Sequence, residues 1–284
     1  MAESLSHKFG QIIGDLLELA IEPHLQKFAK KNKLFLDKKG ERKARSGKKV
    51  TWTDGKGNKH DLDFVLERGG TESTIGIPVA FIESAWRRYT KHSRNKAQEI
   101  QSAIIPLSVK YKGSSPFIGV VLAGVFTEGA LNQLKSLDFG VLYFPYETVV
   151  KAFKKANINV AFDEKTSEQD FRKKIDSWQQ LSDKQIIVKE LLRLNKTEVE
   201  TFFNLLSNSV SRFIERVIIL PLHGLEANVT NVTEAIDFIE KYSEDKPNHP
   251  LIKYEIIIKY NTTDRIEASF KDKKDAIKFL ETYL

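Results

Sequence analysis

The stretch from His60 to Gln101 constrains the fold more than any other, because it holds two short apolar runs that each carry one carboxylate. The runs, Asp63 to Leu66 and Pro78 to Ile82, are rich in Val, Ile and Phe. A loop through Gly69 and Gly70 separates them, so they are expected to be paired strands. Asp63 opens the first run and Glu83 closes the second. If these strands are antiparallel neighbours, the two acids meet at the same edge of the sheet. Carboxylates that close repel one another unless a proton or a cation sits between them, and a hard divalent cation such as Mg2+ is the usual solution. A dense basic segment follows, with Arg87, Arg88, Lys91, His92, Arg94 and Lys96. It leads into a helix with Ala97, Ile100 and Ile104 on one face. Acids that can hold a metal, set beside positive charge, are what phosphodiester hydrolysis requires.

The flanking segments read as an α/β chain. Residues 4 to 31 have helical spacing through Phe9, Ile12, Ile13, Leu16, Leu17, Ala20 and Ile21. On that helix Gly10 and Gly14 would permit close approach of another element, while Glu18 and Glu22 sit one turn apart and read as solvated acids. From Lys27 to Lys49 the chain is strongly basic, broken by Gly40, Ser46 and Gly47 into a loop between short strands at 34–36 and 50–53. Asp54 to Asn58 forms a turn, and beyond it strand alternation puts Asp61 and Asp63 on one face, which makes Asp61 an alternative ligand. Pro116 to Gly124 is a nearly continuous apolar run, as in a strand covered on both faces. Thr127 to Leu137 is expected to be a helix, Gly140 to Phe144 a strand and Tyr146 to Lys155 a further helix, a layered α/β series. The polar segment from Asp163 to Lys184 marks a domain boundary, giving domains 1–178 and 179–284. The second, a small α+β unit, carries no catalytic spacing and is read as a recognition, dimerisation or partner-binding module. Its expected elements are helices at 185–194, 198–216 and 233–242, a strand at 217–222, a hairpin of 254–260 with 265–270, and a last helix from Lys273.

A strand with Asp, a strand with Glu and then a helix, in that order, resemble the PD-(D/E)XK nuclease superfamily. The resemblance covers roughly residues 1 to 160 and implies a restriction-endonuclease-like mixed central sheet flanked by helices. It implies Asp63 and Glu83 as catalytic, Mg2+-holding carboxylates, with the backbone carbonyl of Ser84 as a further metal ligand. In that family the second acidic strand ends Asp/Glu-X-Lys, whereas here it reads Glu83-Ser84-Ala85. The resemblance then places the catalytic lysine on the following helix, with Lys96 first, Lys91 second and Arg87 or Arg88 third. Its activity would be that of a metal-dependent endonuclease of the type II restriction or a related defence class, cutting double-stranded DNA as a homodimer. The alternative is an inactivated nuclease core that only binds DNA, with Ala85 marking the missing lysine.

Charge agrees with a polyanionic partner: 45 Lys and Arg against 38 Asp and Glu give +7 and a pI near 9.2. Lys43, Arg45, Lys48, Arg87, Arg88, Lys91 and Arg94 are the expected DNA contacts, neutralising phosphates without reading sequence. Trp86 and Tyr89 are expected to pack against the sheet rather than stack on a nucleotide. Cysteine is absent, which excludes disulfides, thiolate zinc sites and a Cys nucleophile, and the six histidines never fall at zinc-ligand spacing. Neither a signal peptide nor a membrane span is readable, so a cytoplasmic protein is expected.

Overall fold

The computed structural model describes residues 4–90, 93–222, 224–244, 250–261 and 264–284. Helix α1 (Leu5–Lys31) is capped by Ser4, whose side chain accepts from the His7 N–H. Its buried stripe runs Phe9, Ile12, Ile13, Leu16, Leu17, Ala20, Ile21, Leu25 and Ala29. Each large apolar side chain in that stripe stabilises the fold by roughly 1.5–3 kcal/mol relative to exposure.

The strands β1 (Leu34–Lys38), β4 (Phe64–Arg68), β5 (Ile77–Arg87), β6 (Phe117–Gly124) and β7 (Gly140–Pro145) form a five-stranded mixed sheet in the order β1-β4-β5-β6-β7. The first three are antiparallel neighbours, while β6 is parallel to β5 and β7 to β6. Helix α2 (Ser93–Lys110) makes the crossover from β5 to β6, and α3 (Glu128–Lys135) the one from β6 to β7, as parallel pairing demands. Strand β5 is buried almost without interruption because both of its faces are covered. Trp86 meets α1 at Gly10; Phe81, on the opposite alternation, meets Trp52 with ring centroids 5.8 Å apart. Trp52 belongs to a separate hairpin of β2 (Val50–Thr53) and β3 (Lys59–Leu62).

Two compact units are present. The first takes residues through Lys110 together with Pro116–Ser207, and the second takes Tyr111–Ser115 with Asn208–Leu284. This moves the boundary expected at 178/179 to 207/208. The polar segment after Asp163 holds α5 (Glu168–Gln180), which buries Phe171, Ile175 and Trp178, and its Phe171 ring lies 6.0 Å from that of Phe9 on α1. After α4 (Tyr146–Lys154) and α5, the helices α6 (Gln185–Leu194) and α7 (Lys196–Val210) also belong with the first unit, the division falling inside α7. Phe202 packs edge-on against Phe117 of β6, 5.5 Å between centroids.

The second unit is a four-stranded antiparallel sheet in the order β11-β10-β8-β9. Its strands are β8 (Ile214–Pro221), β9 (Ala227–Val229), β10 (Tyr254–Tyr260) and β11 (Arg265–Phe270). Helices α8 (Val232–Lys241) and α9 (Lys273–Glu281) contribute to one core with it, built on Val217, Ile219, Ile256, Ile258, Ala235, Ile239, Ala276 and Leu280. The unit is two ββα modules in tandem. Their helices repeat a pattern: Ala235, Ile236, Phe238, Ile239, Glu240 and Tyr242 recur as Ala276, Ile277, Phe279, Leu280, Glu281 and Tyr283. Asn231 and Asp272 cap them identically, each side chain accepting from the backbone N–H three residues on. Residues 211–216, expected to continue a helix, instead lead into β8, and β9 is an additional short strand. Among the described residues no helix is long and apolar enough to cross a membrane.

Candidate functional site

Phe64 of β4 pairs with Ile82 of β5, so Asp63 and Glu83 follow directly outside that pair and converge as the sequence predicts. The convergence is fixed locally. Asp63 Oδ2 accepts the backbone N–H of Ser84 at 2.7 Å and its hydroxyl at 2.6 Å. Ser84 therefore positions Asp63. It also stands in mid-strand rather than at a strand end, because β5 runs on to Arg87 beside β6.

Glu83 is largely buried, its side chain 16 % exposed, and its Oε2 finds no hydrogen-bond partner among the described residues. Burial first, and then the charge of Asp63, push its carboxyl up to about 8 against the opposing pull of Lys96. Lys96 reaches back from the first turns of α2, its Nζ 3.8 Å from Glu83 Oε1 and 3.6 Å from Glu99 Oε2. Lys91, the second candidate, lies outside the described residues, as does His92.

Glu18 joins the group from α1. Its carboxyl is pushed up to about 7 by burial, then by Asp63 and Asp15, with Lys39 acting the other way. Sequence alone does not separate Glu18 from Glu22; the structure does, because Glu22 is ion-paired with Lys38 on β1. Asp61 is likewise removed from the site: it accepts from Thr51 and Lys49, both at 2.6 Å, on the β2–β3 hairpin.

Glu18, Asp63, Ser84 and Lys96 line an open cleft of about 590 Å³. Gly10 and Gly14 leave the α1 wall of this cleft bare. A Cβ at Gly14 would touch nothing and one at Gly10 would meet Trp86 at an ordinary 3.7 Å, so close packing is not what these glycines provide.

The basic candidates divide into exposed and engaged side chains. Lys43, Lys48 and Arg94 are at the surface, and Lys48 stands 3.9 Å from Glu41. Arg87 lines the cleft, donates to the Trp86 carbonyl and stands 3.8 Å from Glu99. Arg88 lies over the Tyr146 ring at 4.0 Å and donates to the Phe162 carbonyl, so its guanidinium is largely committed within the fold. Arg45 is committed further. It pairs with Asp37 at 3.2 Å and donates to the carbonyls of Lys38, Gly40 and Gly47, holding the basic loop in shape. Trp86 is buried and inclined against Tyr146, as expected of a packing residue.

The donor set fits a hard divalent cation in kind but not in number. Among the described residues no three Asp, Glu, His or Cys side chains group closely enough to hold a metal ion. The Asp63–Glu83 pair nonetheless offers only oxygen donors, which suit Mg2+, and a cation there would satisfy the orphaned Glu83 Oε2.

No protein-family model and no curated protein matches this chain. A solved structure, that of the protein of unknown function AF1548, overlaps 68 % of this chain and 98 % of its own, at 10 % identity and a TM-score of 0.30.

Proposed function

We propose that the protein is a Mg2+-dependent deoxyribonuclease with a PD-(D/E)XK core, hydrolysing double-stranded DNA as a type II restriction or related defence enzyme. The observation that carries the reading is that Asp63 and Lys96 line one open cleft while Glu83, one step beyond the Phe64–Ile82 pair and 3.8 Å from Lys96, stands buried beside them. The topology supports it, since an antiparallel β1-β4-β5 run followed by a helical crossover to parallel β6 gives the order of acidic strand, acidic strand and helix that the superfamily uses.

In this reading Asp63 and Glu83 hold the cation, and Ser84 fixes Asp63. Bound Mg2+ would supply charge stabilisation at the scissile phosphate and acidify the attacking water. Lys96, held between Glu83 and Glu99, offsets phosphate charge and orients the nucleophile from the side of α2. Lys43, Lys48 and Arg94 at the surface, with Arg87 at the cleft, attract the backbone. Cutting both strands calls for two copies of the site, hence a homodimer.

The test is incubation of the purified chain with supercoiled plasmid and Mg2+, beside Asp63→Ala and Glu83→Ala. Cleavage by the parent that both substitutions abolish supports the reading; cleavage that survives both refutes it. A second reading, a DNA-binding protein without activity, draws on Ala85, buried where the family carries lysine. Salt-sensitive DNA binding with no cutting in Mg2+ or Mn2+ would favour it.

A further inference from the structure

The sheet of the second unit has one face covered and one face open. Val217, Ile219, Ile256, Ile258 and Tyr260 belong to the core shared with α8 and α9, so strand alternation turns Arg216, Ile218, Ile257, Lys259, Arg265 and Glu267 to the other side. The register then sets three cations in one row across adjacent strands. Lys259 is directly opposite Arg216 on β8 and directly opposite Arg265 on β11. Neighbouring side chains in such a row have Cβ atoms about 4.5–5.5 Å apart, and like charges placed so are destabilising. The carboxylates nearby compensate only in part. Glu267 pairs with Arg265 at 2.9 Å, while Glu255, further along β10 on the same face, is taken by Lys253 at 2.6 Å. Glu215 sits beside the row at the β8 irregularity, and Asp264 is engaged by Arg212 at 3.7 Å.

Further along the same strands, past Arg216 and Lys259, stands an aromatic residue outside the core. Phe213 is 58 % exposed, yet its backbone is fixed: its N–H donates to Asn261 Oδ1 at 2.9 Å and its carbonyl accepts from the Asn261 N–H. Adjacent Ile218 and Ile257 add a half-buried apolar strip. A repulsive cationic row that the fold neutralises only in part, with an exposed aromatic residue of fixed backbone further along the strands, is arranged for an extended polyanion rather than for stability.

We propose that this open face is a second DNA-binding surface, anchoring the phosphodiester backbone of a duplex through Arg216, Lys259 and Arg265. It goes beyond the nuclease reading, because it lies on the other unit and needs neither Asp63 nor Glu83.

The experiment measures binding of the full chain to a fluorescent duplex of about 30 base pairs in EDTA, over a range of salt, by anisotropy. Replacing Arg216, Lys259 or Arg265 by Gln, one at a time, is expected to reduce the slope of log K against log salt by about 0.9 for each phosphate left without its cation. The triple variant is expected to bind roughly tenfold more weakly or worse at about 0.1 M salt, a weakening of about 1.4 kcal/mol or more by the standard conversion of a tenfold change. Lys259→Gln should at the same time raise the melting temperature of the DNA-free protein, because it removes the central like charge. A merely structural lysine would lower it. Lys253→Gln, whose partner is Glu255, should leave the slope unchanged. Arg265→Gln, on the edge strand, gives the same readout with the least disturbance to the sheet.

A triple variant with the parent's slope overturns the proposal, as does attachment to phosphatidylserine vesicles without any affinity for duplex. The two readings fail separately. A chain that cuts plasmid with an unchanged triple-variant slope keeps the nuclease and loses the anchor. One that binds through the row without cutting keeps the anchor alone.

Discussion

Lys96 Nζ stands 3.8 Å from Glu83 Oε1, reaching from α2 back to the strand that precedes it. That approach supplies a positive charge beside Glu83, which Ala85, two residues further along β5, cannot. Lys96→Ala is therefore expected to lower plasmid cleavage on the order of 10²–10³-fold, the usual cost of removing one preorganised charge donor. Duplex affinity in EDTA should change little, because at most one phosphate is left without a partner. Equal decreases in binding and cutting would instead make Lys96 an ordinary backbone contact.

Without bound metal, the site should weaken the fold as pH rises. Glu83 and Glu18 move up from an ordinary 4.5 to about 8 and about 7. Between 4.5 and those values the folded chain holds more protons than the unfolded one, so stability falls with increasing pH across that window. Glu83→Gln removes the larger contribution, and its melting temperature should be flatter with pH and higher than the parent's near pH 8. Mg2+ should raise the parent's melting temperature more at about pH 8 than at about pH 5.5, since it competes with the proton held there. A Mg2+ increment that is the same at both pH values, or that persists in Glu83→Gln, would remove Glu83 from the site.

Arg42 is the central cation of a buried network. Its guanidinium contacts Glu67 at 2.6 and 3.0 Å and Asp37 at 2.8 Å, and it donates to the carbonyls of Thr71 and Thr74, each at 2.8 Å. It thereby ties the basic loop after β1 to the loop between β4 and β5. Removing one partner leaves buried carboxylates without compensation, so Arg42→Met should cost about 3–5 kcal/mol in urea denaturation. A cost below about 1 kcal/mol, typical of exposed pairs, would mean that the network is wet.

The Asp63–Glu83 pair is legible in the sequence because each acid abuts an apolar β-run, and a period-two pattern fixes both strand and face. The Arg42 network is not, because its partners on β4 and in the loop after it lie 25 to 32 residues away and nothing local separates a buried arginine from its solvated neighbours in a basic loop. Arg45 looks like a DNA contact in the sequence for the same reason. Glu18 and Glu22 lie one helical turn apart and differ through partners distant in sequence, Lys38 on a neighbouring strand for Glu22 and the cleft with Asp63 for Glu18. The repeated Ala-Ile-x-Phe pattern at 235 and 276 does stand in the sequence, and it marks the tandem ββα unit without reference to coordinates.

The same contrast between composition and periodicity decides where the first unit ends. Residues 168–180 are charged enough to resemble a linker, yet Phe171, Ile175 and Trp178 fall at helical spacing and are buried. Beyond them, α6 and α7 bury Ile187, Val188, Leu191, Phe202 and Leu206, with Phe202 against β6. A chain ending at 178 leaves the surfaces under those side chains open, and burial of this kind stabilises by roughly 1.5–3 kcal/mol per large side chain. Removing several of them exceeds the ~5–15 kcal/mol margin of an ordinary domain. Expressed as 1–207, the first unit should therefore melt in one cooperative transition, whereas 1–178 should bind a hydrophobic dye and lack that transition. A cooperative 1–178 fragment would put the boundary at 178/179 after all and make α6 and α7 accessory to the sheet that carries the site.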